Sequence, residues 1–115
     1  MNNQKHFIMI LMSFLLCLPS IESQAQEANS NYAIPFMDDA KIFAQFTHEL
    51  PAVMNYFTAH TEQEIIAFYE SNFGKATSSE LKRERLTLYF THHDKQLRVI
   101  ISQQDKKNQV DILLR

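Results

Sequence analysis

The chain has 115 residues, 45% of them hydrophobic and 21% charged, with a formal net charge of −2, one glycine, three prolines, one cysteine and no tryptophan. This length holds one small domain. The charge balance excludes a strongly basic nucleic-acid binder, and the apolar content excludes wholesale disorder. One glycine leaves no glycine-rich phosphate loop, and one cysteine leaves no internal disulfide.

Residues 1–25 have the three-part layout of a cleavable signal peptide. Lys5 supplies the positive start, Phe7–Leu18 the apolar run, and Ser23-Gln24-Ala25 the small residues at −3 and −1 of a cleavage site. The run is shorter than the roughly 20 residues that cross a bilayer. An uncleaved N-terminal anchor is the competing reading. A lipid anchor on Cys17 is disfavoured by the bulky Leu16 before it. Cleavage after Ala25 removes the only cysteine, and losing Lys5 and Glu22 together leaves the net charge unchanged. The expected mature protein is periplasmic or secreted and held by its hydrophobic core alone. It has no stable membrane insertion, since no later apolar run approaches spanning length.

Residues 26–34 are polar and aperiodic and read as a flexible lead-in to a single domain over 35–115. In residues 38–47 the alternation of Ile42, Ala44 and Phe46 favours a strand, with Asp38-Asp39 capping a short helix as the alternative; Pro51 ends either one. Residues 53–59 are strand-like. Thr61-Glu62-Gln63-Glu64 matches a capping box, in which hydroxyl and carboxylate each satisfy an orphaned backbone N–H. Ile65, Ile66, Tyr69 and Phe73 then fall on one helical stripe. Gly74 stands where a left-handed C-terminal cap belongs. The spacing predicts a helix over 61–73.

Glu80–Arg85 is a mixed-sign run and reads as a solvated connector. Three period-two runs follow, over 85–91, 96–102 and 109–114, joined by short polar links as in an antiparallel meander. The expected fold is α+β: a two-layer sandwich of one main helix on a roughly five-stranded antiparallel sheet, in the order ββαβββ. Its expected core is Phe57 or Tyr56, with Ile65, Tyr69, Phe73, Leu88, Phe90, Val99, Ile101 and Ile112.

Thr61–Gly74 resembles the helix of the βαβββ modules of the glyoxalase and vicinal-oxygen-chelate superfamily. That likeness implies strand–helix–strand order. The superfamily pairs two modules and carries metal ligands on outer strands, whereas this chain has room for one. Its strand at 53–59 offers no His or Glu, and its last strand offers only Asp111.

No constellation for catalysis emerges. The mature chain has no thiol, and its serines lie in no Gly-x-Ser-x-Gly setting. His92-His93-Asp94 reads as a polar hairpin turn and not a metal site, because neighbouring side chains of an extended chain point to opposite sides and one compact site could not easily use both imidazoles. No spacing matches structural zinc, so neither a metal nor a cofactor is expected. The remaining function is binding. If Leu88, Val99 and Ile112 face the helix, Tyr89, Ile100 and Leu113 lie on the far side of the sheet, rimmed by Arg98 and Asp111. Such an apolar patch with a polar rim fits a partner surface. Residues 31–50 folding across it, or a homodimer, would bury it instead. The expected function is that of a non-enzymatic exported accessory or regulatory protein that binds another envelope protein. The alternatives are an inhibitor or immunity-type protein, and a carrier of a small apolar ligand.

Overall fold

The computed structural model describes residues 32–115. The expected signal peptide lies outside the described residues, as do residues 26–31 of the expected lead-in. The elements run β1 (Lys41–Phe46), β2 (Ala52–Thr58), α1 (Glu62–Phe73), β3 (Ser78–Lys82), β4 (Arg85–His92), β5 (Lys95–Gln104) and β6 (Lys107–Leu114). The fold is α+β, with a single six-stranded antiparallel sheet in the order β1-β2-β6-β5-β4-β3. Among the described residues, no helix is long and apolar enough to cross a membrane.

One expectation needs correction. The sheet has six strands rather than five, because part of the expected solvated connector is β3. Its five residues are all exposed, so they leave no alternating apolar signal. Within residues 38–47 the expected strand forms over Lys41–Phe46, with Asp38 and Asp39 in the turn before it.

Helix α1 begins as its sequence demands. The Thr61 hydroxyl accepts from the Glu64 N–H at 3.2 Å, and the Glu64 carboxylate accepts from the Thr61 N–H at 2.9 Å. At the other end, the Gly74 N–H donates to the Glu70 carbonyl at 2.8 Å. Gly74 has φ 87° and ψ −175°, outside the left-handed helical region expected of a cap and in a region open essentially to glycine alone.

Ile65 and Tyr69 bury one stripe of α1 against Tyr56, Leu88, Phe90, Val99, Ile101, Val110 and Ile112. Full burial of each such side chain contributes about 1.5–3 kcal/mol. Of the two expected alternatives in β2 it is Tyr56, not Phe57, that joins the core, together with Ala52 and Met54, and Phe73 is only half-buried at the rim, its ring 5.9 Å from Phe90. Residues 32–40 close the helix side of the sheet. Ile34 and Met37 are buried there, and the Tyr32 N–H donates to the Thr47 carbonyl at 2.9 Å.

Candidate functional site

Strand register puts the second face of the sheet together row by row, because residues paired across neighbouring strands share a face. One row runs Phe46, Val53, Leu113, Arg98, Tyr89 and Ser78 from β1 to β3. The next runs Ala44, Asn55, Asp111, Ile100, Thr87 and Glu80. A third runs Lys41, Phe57, Gln109, Ser102, Arg85 and Lys82. The five residues expected to form a partner surface, Tyr89, Ile100, Leu113, Arg98 and Asp111, therefore stand on one face of three adjacent strands. Each is half-buried.

All six strands belong to one sheet, and α1 with residues 32–40 occupies its other side. Among the described residues, no helix or strand lies across this face. Residues 32–50 do not fold over it. Instead, β1 prolongs the sheet sideways, and the segment before it packs into the core.

The polar members of the face are ordered by one another. The Asp111 carboxylate accepts from Asn55 Nδ2 at 2.7 Å and from Gln109 Nε2 at 2.9 and 3.2 Å. Asp111 is thus committed within the sheet more than it is offered at a rim. The Arg98 guanidinium carbon lies 5.6 Å from the Tyr89 ring centroid, a cation–π contact across neighbouring strands.

Sequence reasoning missed the aromatic end. Phe46 is 67% exposed and Phe43 is 53% exposed, the latter 4.8 Å from Phe57 between ring centroids. Alternation alone sets Ile42, Ala44 and Phe46 on one side. A bulge between Ile42 and Ala44 shifts the register, so Ile42 packs inward while Ala44 and Phe46 turn outward. The available signal was the aromatic content of a short edge strand, Phe43 and Phe46, next to Phe57.

The titratable groups gather elsewhere, at the junction of the Asp38-Asp39 turn with α1. His60 Nε2 lies 2.8 Å from Asp38 Oδ1, and its Nδ1 lies 3.1 Å from Glu64 Oε1. Asp39 accepts from the Thr58 hydroxyl and from the Ala59 N–H. The Thr58 hydroxyl and the Ala59 N–H hold the Asp39 carboxyl below its ordinary range. Asp38 and Glu64 push the His60 imidazole up, and the Thr61 backbone and His60 hold Glu64 down. Asp38, Asp39 and His60 each bring one atom able to ligate a cation within 4.8 Å of the others. Those atoms are engaged with one another and with β2, and the cluster works as a clip between the chain entering β1 and the start of α1.

At the β4–β5 turn, the His92 and His93 rings lie 4.0 Å apart. The expectation that they point apart fails because His93 and Asp94 have φ of 52° and 53° and leave the extended conformation.

Fold and face together define a small α+β domain with one helix-covered side and one aromatic-flanked side that no helix or strand covers among the described residues. Comparison with known protein families, curated proteins and solved structures finds no match.

Proposed function

We propose that this chain is an exported, non-enzymatic accessory protein that binds another envelope protein through the open face of its sheet. The observation that carries this reading is the six-stranded face itself. It combines half-buried Tyr89, Ile100 and Leu113 with exposed Phe43 and Phe46, and the helix and residues 32–40 all lie behind it. Apolar groups grouped on one ordered surface and flanked by polar residues favour association with a protein. Export is read from the signal-like residues 1–25.

Photo-crosslinking tests the reading. A benzophenone amino acid at Leu113 of the tagged protein, expressed in its own cell, is expected to yield a discrete crosslink to a second protein of the envelope, identified by mass spectrometry. The same probe at Lys95, on the opposite side, is expected to yield none. Recovery of self-crosslinks alone would overturn the reading in favour of a homodimer.

A further inference from the structure

The open face is not uniform. Its β1–β2 end is aromatic and apolar, whereas its β3–β5 end is a shallow concavity of about 450 Å³ lined by Lys82, Arg83, Arg85 and Arg98 against one carboxylate, Glu80, with Tyr89 and Ile100 at its floor. Lys82 and Arg85 are direct cross-strand partners on this face. Like charges so placed repel each other and weaken the pairing. Among the described residues none of these cations has a carboxylate within 4 Å. Arg98, its guanidinium carbon 5.6 Å from the Tyr89 ring, carries the planar fork of donors that takes a carboxylate bidentately.

Resting on the reading of the face as a protein-binding surface, we infer that its β3–β5 end receives an acidic segment of the partner. The segment's carboxylates meet Lys82, Arg85 and Arg98, and its adjoining apolar side chains lie toward Ile100 and Leu113. Charge complementarity carries the assignment. An arriving anion relieves the repulsion between Lys82 and Arg85, which the single carboxylate of Glu80 does not balance, and the concavity is continuous with the apolar rows. A neutral partner would leave that repulsion in place.

Fluorescence anisotropy with two labelled peptides tests the assignment, one alternating Glu with Val and Phe, the other carrying Gln in place of Glu. The Glu peptide is expected to bind at least about tenfold more tightly, with affinity falling as salt rises from about 0.05 to 0.5 M. Arg85→Glu is expected to weaken it at least about tenfold, and Lys95→Glu, the same charge change on the opposite side, to leave it nearly unchanged. Equal binding of the two peptides, or equal effects of the two substitutions, would overturn the assignment. So would Arg85-dependent binding to phosphatidylglycerol vesicles without peptide binding, or self-association that Arg85→Glu abolishes. Ile100→Ser separates the two levels. If it weakens both peptides while Arg85→Glu weakens neither, the open face stands as a binding surface and the acidic segment falls. If neither substitution changes anything, both fall.

Discussion

The Tyr56 hydroxyl lies 2.8 Å from the Tyr69 hydroxyl, between sheet and helix. Tyr69 donates to the Pro35 carbonyl at 2.8 Å, so Tyr56 is the donor of the shared bond, and its own oxygen faces the Met37 N–H at 3.4 Å. This relay ties α1, β2 and the segment before β1 in a buried setting. Tyr69→Phe strips both the Pro35 carbonyl and the Tyr56 hydroxyl of a partner, and a destabilisation of roughly 1–3 kcal/mol is expected in urea unfolding. Tyr56→Phe leaves the Tyr69–Pro35 bond intact and should cost less. Burial pushes both phenols up from 10.0. Their contribution is full below pH 10 and is lost as pH rises through the folded-state values. Ionisation of these two tyrosines followed at 295 nm should therefore coincide with alkaline unfolding.

The His60 clip makes stability depend on pH in the acid-to-neutral range. His60 is raised above 6.5, so its contribution is complete below that value and fades as pH climbs through the folded one. Asp39 and Glu64 are lowered from 3.8 and 4.5, so theirs is complete above those values and fades as pH falls. The clip is strongest between about pH 4.5 and 6.5. Thermal midpoints of the wild type should fall from pH 6 to 8 relative to those of His60→Gln. Parallel profiles would show that the clip contributes nothing.

Gly74→Ala tests backbone conformation alone, because a Cβ at this position meets no atom within 4 Å. With φ at 87° and ψ at −175°, the substitution should cost about 1–3 kcal/mol. The thermal midpoint should drop by roughly 4–8 °C for each of those kcal/mol. An unchanged midpoint would mean the loop after α1 relaxes freely.

Tyr89→Ala and Ile100→Ser should abolish crosslinking to the partner while shifting unfolding free energy by less than about 1 kcal/mol. Ile100→Asp is a poorer probe, since it sets a second carboxylate directly across from Asp111. A loss of several kcal/mol from either substitution would show that these side chains support the fold rather than a partner.

Much of this architecture was legible in the sequence because its signals are local. The Thr61–Glu64 capping box, the Ile65/Tyr69 stripe and the alternation of Leu88, Phe90, Val99, Ile101 and Ile112 each state a geometry within a few residues. Strand β3 was not legible. Ser78–Lys82 is exposed on both sides, and its turn to β4 uses Arg83 and Glu84 at φ 52° and 64° without glycine or asparagine. The aromatic end of the face was hidden by the β1 bulge, which no periodicity records. The cationic end depended on pairing between β3 and β4, and so disappeared with β3.

Strand β6 lies between β2 and β5, so it joins two groups of strands that share no other ladder. The β3–β4–β5 meander can zip up through turns of a few residues. The β1–β2 hairpin has no lateral neighbour other than β6, with Asn55 opposite Asp111 across 56 positions of chain. The β2–β6 ladder therefore closes the longest loop in the sheet, at the highest loop-closure cost. Parting that one ladder would leave a two-stranded and a four-stranded sheet held together only through α1 and residues 32–40.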